Sequence, residues 1–98
     1  MYGLIVKMTV VPGRRDDAIA LLAGCSTSMP GCLSYVIAKD AAHEDGLWVT
    51  EVWESEAAHD SSLTLRAVRA VIPQMKPLVV ELRKIAITEP VAGLALPS

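Results

Sequence analysis

The order in which the hydrophobic period changes along this chain leaves few folds open to it. Residues 3–11, GLIVKMTVV, are a β-branched apolar run closed by Pro12-Gly13, which predicts a strand followed by a turn. From Arg14 the period lengthens. Ile19, Leu22, Ala23 and Ser26 fall at helical spacing, and Asp16 and Asp17 stand near the start, where carboxylates complement the helix dipole. Pro30-Gly31 must stop that helix. LSYVIAKD (33–40) then returns to a period of two, with Leu33, Tyr35 and Ile37 on one face. A loop carrying His43, Glu44, Asp45 and Gly46 leads to LWVTEVWE (47–54), and the two runs predict an antiparallel hairpin with a long connection. Ser55 is the expected N-cap of the following helix and Thr64 of the next, in which Leu65, Val68, Ile72 and Met75 keep helical spacing. Pro73 removes a backbone donor and predicts a kink or restart before Pro77 ends the segment. VVELRKIAIT (79–88) is the last strand.

The resulting order, β-α-β-β-α-β, is the ferredoxin-like split βαβ pattern: an α+β fold with a four-stranded antiparallel sheet and its helices on one face. Ninety-eight residues make one domain. Residues 1–90 are assigned to it and residues 91–98 to an apolar tail expected to pack on a partner subunit. Composition supports a partner. Hydrophobic residues are 52% of the chain and mean hydropathy is +0.40, yet aromatics are only 4%, so the excess is aliphatic. The strands show few polar faces, which predicts a second apolar sheet face, and a second copy of the chain is its simplest cover. A membrane is the competing explanation, but no stretch approaches the roughly 18–20 uncharged apolar residues a spanning helix needs. MYGLIVKMTVV lacks a basic n-region and a small-residue cleavage site, so the expectation is a soluble cytoplasmic homodimer. A formal charge of −2 with scattered basic residues argues against nucleic acid. Cys25 and Cys32 do not form a CxxC pair and are expected to be small buried apolar residues. His43 and His59 are the only histidines and no carboxylate cluster accompanies them, so no metal centre is expected.

The chemistry-bearing residues concentrate in EVWESEAAHDSSL (51–63). Glu51 and Trp53 share a strand face with Leu47 and Val49. A carboxylate on that face is either desolvated, with a raised pKa suited to a base, or paired with a basic residue of a neighbouring strand, where Arg83 and Lys84 of the last strand are available, or of the other subunit. Trp53 either stacks on a flat aromatic ligand, its indole N–H free to bond an oxygen, or packs the strand end onto the helix. His59 is placed near a helix N-terminus, where the dipole disfavours imidazolium, which makes it a candidate base; the alternative is a surface histidine beside Glu56 and Asp60. Tyr35 either donates its hydroxyl to a ligand oxygen or spans sheet and loop. His43 belongs to a solvated loop.

MPGCLSYVIAKD, LWVTEVWESEAAHDSSL and the strand ending ITEPV resemble the antibiotic biosynthesis monooxygenase (ABM) domain family, and more narrowly its small stand-alone quinol monooxygenase-like members, over about residues 3 to 90. The resemblance rests on PGC-x-x-Y and E-x-W-x-S-x-x-A at this separation. It implies a dimeric α+β barrel in which two sheets pack face to face, with a pocket in each subunit between sheet and helices. Some members oxidise polycyclic phenols or quinols with O2 and need no metal or flavin, because an electron-rich substrate carbanion itself reduces O2. The protein then supplies positioning, deprotonation and a dry cavity. Related members degrade haem.

By that resemblance Trp53 matches the family's pocket-lining tryptophan, Glu51 the glutamate of the same pattern, and Tyr35 the tyrosine after Gly-Cys. Val49 stands where the anthrone oxidisers carry an asparagine, and Ser62 where many quinol-type members have a histidine. The expectation is a cofactor-independent monooxygenase of a small aromatic quinol or phenol, with His59 and Glu51 catalytic and Trp53 and Tyr35 binding substrate. The alternatives are a non-catalytic dimeric module that binds an aromatic metabolite, or a haem-binding or haem-degrading protein.

Overall fold

The computed structural model describes residues 1–97, in the order β1 (Tyr2–Val10), α1 (Arg15–Cys25), β2 (Cys32–Lys39), β3 (Gly46–Trp53), α2 (Glu56–Ser62), α3 (Arg66–Met75) and β4 (Val79–Thr88). The strands form one four-stranded sheet in the order β2-β3-β1-β4, with every neighbouring pair antiparallel. This is the ferredoxin-like arrangement predicted from the period changes. The hairpin is present, with Tyr35 opposite Glu51, Ile37 opposite Val49 and Lys39 opposite Leu47. On the other side of β3, Tyr2 of β1 faces Trp53 and Leu4 faces Glu51.

Strand alternation decides what goes inside. Leu4, Val6, Met8 and Val10 of β1 and Leu47, Val49, Glu51 and Trp53 of β3 are all buried beneath the helices. Ala18 of α1 and Met75 of α3 close the same core. The core-facing stripe of α1 is the predicted one only in part: Ile19 and Leu22 pack against the core as expected. Ala18 and Cys25 are buried and Leu22 half-buried, whereas Ala23 is exposed. AIALLAGC is apolar on several faces, so its pattern fixes a helix but not its rotation. The small Ala18, fully buried, marks where α1 approaches the sheet.

Two other expectations change. Thr64 does not cap α3: its hydroxyl donates to the Ser61 carbonyl at 2.7 Å, and the N-cap is Leu65, with no side-chain bond. The α2–α3 connection is too tight to free that hydroxyl for the next helix. Nor does α3 restart at Pro73. It runs through to Met75, and the Lys76 N–H donates to Ile72 O at 3.1 Å, so the ladder resumes once past the missing donor. Ser55 does cap α2, accepting from the Ala58 N–H at 3.1 Å. That helix is seated against the start of β2 by Gly31, which adopts φ +80° and where a Cβ would come within 2.7 Å of Ala58 Cβ. The Glu54 N–H also donates to Gly31 O at 2.8 Å, tying the end of β3 to the same turn.

The opposite sheet face is open in the single chain and only partly the apolar face expected, since Lys7, Thr50 and Arg83 stand among its apolar residues. Ile5, Trp48 and Val52 are half-buried there, and Val36 is 53% exposed. Val91 and Leu94 of the C-terminal tail are exposed as well, while Ser98, the last residue of that tail, lies outside the described residues. No helix among the described residues is long and apolar enough to cross a membrane.

Candidate active site

Between the sheet and the three helices lies a cavity of about 460 Å³. Its floor is Leu4, Val6 and Val49 and its roof comes from Leu22, Val71 and Met75. Tyr35, Glu51, Trp53 and His59 all line it, so the four candidates drawn from the sequence stand around one space. Val49 and Ser62 line it too.

Glu51 reaches the cavity because its position on β3 has the parity of the core residues. It is 8% exposed, and its Oε1 accepts a hydrogen bond of 3.0 Å from Trp53 Nε1–H. Loss of hydration pushes its carboxyl pKa up, partly offset by the Trp53 bond and by the charges of His59 and Lys84. The ion pair anticipated with Arg83 or Lys84 is not made: Arg83 Nε lies 3.8 Å from Glu81, and Lys84 has no carboxylate partner within 4 Å among the described residues. The same bond corrects the expectation for Trp53. Its indole N–H is occupied by Glu51, two residues earlier on the same face, so only the ring is presented to a ligand.

His59 belongs to the last turn of α2, because the helix spans only seven residues. The N-terminal dipole argument therefore does not apply. What holds the imidazole is an aromatic corner. Its ring centroid is 5.5 Å from Trp53, edge to face at 82°, and 5.6 Å from Tyr2. Nδ1 lies 3.1 Å from Asp60 Oδ1, and the side chain is only 13% exposed. This is not the free surface histidine of the alternative reading. Ser62, the next inward residue of α2, donates its hydroxyl to the His59 carbonyl, so that hydroxyl is taken.

Tyr35 crosses from β2 to the cavity opposite Glu51. Burial, then the Glu51 charge, push its hydroxyl pKa far above the usual phenol value, so the group stays protonated and acts as a donor. Cys25 also lines the cavity; it and Cys32 are free, with both thiols pushed up by burial, although Cys32 is only half-buried. No group of three or more His, Cys, Asp or Glu gathers among the described residues.

Tyr2 joins the site with no local signal in its own segment. It shares the parity of Leu4 and Val6, but only the β1–β3 register, Tyr2 opposite Trp53, brings it beside His59. The assembled site is an apolar slot with a protonated phenol, a carboxyl of raised pKa and an imidazole steadied by a carboxylate. Such a site can hold a flat apolar molecule and move a proton at its edge.

The sequence profile of the antibiotic biosynthesis monooxygenase family matches residues 1–74. No functionally curated protein matches the chain. Among solved structures, the provisionally named antibiotic biosynthesis monooxygenase of Chloroflexus aurantiacus J-10-fl is 46% identical, covers 94% of each chain and superposes with a TM-score of 0.86. Proteins of the same provisional name from Nitrosomonas europaea (14% identity, 94% of this chain and 100% of that one, TM-score 0.83) and Deinococcus radiodurans (20% identity, 100% of both chains, TM-score 0.78) share the fold.

Proposed function

Because the chain belongs to the antibiotic biosynthesis monooxygenase family, we propose that it is a monooxygenase that oxidises a small aromatic quinol or phenol with O2 and needs no bound cofactor. The observation that carries this reading is the apolar cavity in which Glu51, Trp53, His59 and Tyr35 meet. The Trp53 ring forms a wall for a flat substrate. The Tyr35 hydroxyl donates to a substrate oxygen. With Nδ1 of His59 carrying a proton toward Asp60, Nε2 is the acceptor and takes the phenolic proton. Glu51, its pKa raised by burial, is the second proton-transfer group. The deprotonated ring is electron-rich and reduces O2 directly. For a quinol, one oxygen atom enters a ring C–H as hydroxyl, the quinol becomes a quinone, and the second oxygen leaves as water, so all four electrons come from the substrate.

The functional unit is a homodimer in which the open sheet face packs on its copy and the tail from Val91 lies on the partner. O2 consumption by purified, metal-free protein with a panel of quinols and anthrones tests the activity. His59→Ala and Trp53→Ala should each slow it, by about 10²-fold or more where general base catalysis is lost. Rates unchanged in both would remove these assignments.

A second reading is a dimeric module that binds an aromatic metabolite without oxidising it. Val49 and Ser62 favour it, since neither offers the cavity a free polar group: one is aliphatic and the other spends its hydroxyl on the helix backbone. Calorimetric binding with no product by mass spectrometry would select it.

A further inference from the structure

Lys84 is a cavity residue that the proposed chemistry leaves unused, and the sheet is built irregularly to bring it there. β1 pairs with β4 through Leu4 opposite Ile87 and Ile5 opposite Ala86; the register then slips by one residue, giving Val6 opposite Lys84 and Met8 opposite Leu82. Ile85 is the extra residue of this bulge. Without the slip Ile85 would face Val6 from the cavity side, and Lys84 would fall on the other face of the sheet. The bulge thus leaves Ile85, 44% exposed, out of the ladder and sets Lys84, itself exposed, opposite Val6 at the rim of an apolar cavity. Bulges that re-aim a side chain cluster next to binding sites.

The row Val49–Val6–Lys84 runs across three strands of the cavity floor, one residue pair along from Leu4 and Glu51. Lys76, at the end of α3, is the other ammonium on the cavity wall. Neither lysine has a carboxylate partner within 4 Å among the described residues. Lys84 is therefore a positive charge in contact with no carboxylate, acting on Glu51 only through space, and set by the sheet at the edge of a space otherwise suited to a flat apolar molecule.

Resting on the reading of this cavity as an aromatic site, we propose that Lys84 selects ligands whose aromatic body carries an anionic oxygen, held at the β4 wall while the rings fill the apolar space. Its charge adds a short charge-assisted contact for such a ligand and nothing for a neutral one.

Two fluorescent probes with the same ring system separate the effects: anilinonaphthalene sulfonate, which is anionic, and phenylnaphthylamine, which is neutral. In titrations of the full chain, Lys84→Met should weaken the sulfonate about tenfold and leave the neutral probe within about twofold, a difference expected of a charge-assisted bond. Lys84→Arg should restore the sulfonate affinity, and Lys76→Met should leave the ratio of the two affinities unchanged. Equal losses for both probes in Lys84→Met, or no loss for either, would overturn the role given to Lys84. If the neutral probe does not bind the unaltered protein, the aromatic reading of the cavity falls and this inference falls with it.

Discussion

Glu51 and Trp53 offer the sharpest energetic test of the site, because the bond between them joins two buried groups on one strand. Trp53 Nε1–H donates to Glu51 Oε1 at 3.0 Å, with Trp53 only 1% exposed. Trp53→Phe removes the donor and part of the ring. The missing volume should cost about 2 kcal/mol, less than a full truncation to alanine. The carboxylate left without its partner should cost a further ~1–3 kcal/mol. Glu51→Leu removes the acceptor and its desolvated charge but strands the indole N–H, and these oppose each other, so the net change should stay within about 1 kcal/mol. In the double variant only the packing loss remains. The coupling energy from the cycle should therefore be about 1.5–3 kcal/mol, the range of a hydrogen bond to a charged group. Urea unfolding of the four proteins, followed by far-ultraviolet circular dichroism at neutral pH and one fixed protein concentration, measures it, provided the m-values agree. A coupling below about 0.5 kcal/mol, the level at which independent sites add, would refute the claim that this bond holds the buried carboxyl in place.

The pH dependence of stability has a definite sign. Glu51 has a folded-state pKa raised above the ordinary 4.5, so the folded chain binds more protons than the unfolded one; this contribution is complete below 4.5 and is lost as pH rises through the raised value. Thermal melts of Glu51→Gln should lack that falling limb, and identical slopes in both proteins would contradict it. Gly31→Ala should cost about 1–3 kcal/mol, since φ is +80° and the new Cβ would meet Ala58 Cβ at 2.7 Å. Adding Ala58→Gly should relieve the clash but not the backbone strain, and a urea midpoint unmoved by Gly31→Ala would show that the α2 seat is loose. Val36→Lys, on the open sheet face, should shift sedimentation from dimer to monomer at micromolar concentration; an unaltered dimer would place the interface elsewhere.

The order of elements was legible because each segment announces its own period, and the parity of β3 was enough to send Glu51 and Trp53 inward together. What a local pattern does not carry is distance between strands. Tyr2 reaches His59 only through the β1–β3 register, and Lys84 reaches the cavity only through a one-residue slip that nothing in VVELRKIAIT marks. Helix length was the other weak point. Ser55 fixed where α2 begins, but its end after seven residues depends on the tight turn into α3, and that length decides which helix end His59 occupies. The rotation of α1 was underdetermined for a simpler reason: a helix apolar on several sides offers more than one stripe to the core. The Glu51–Trp53 bond lies between these cases. Neighbours two apart on one face are visible in the sequence, whereas the choice of bond over an ion pair with β4 is made by packing.

The central proposal is that this cavity lets an aromatic substrate reduce O2 unaided. Incubating metal-free protein with a quinol under ¹⁸O2 and weighing the product by mass spectrometry tests it most directly. The proposal predicts one labelled oxygen in each hydroxyquinone and the other in water, with incorporation falling in step with turnover in His59→Ala. Product without label, or label that accumulates equally without the protein, would contradict it.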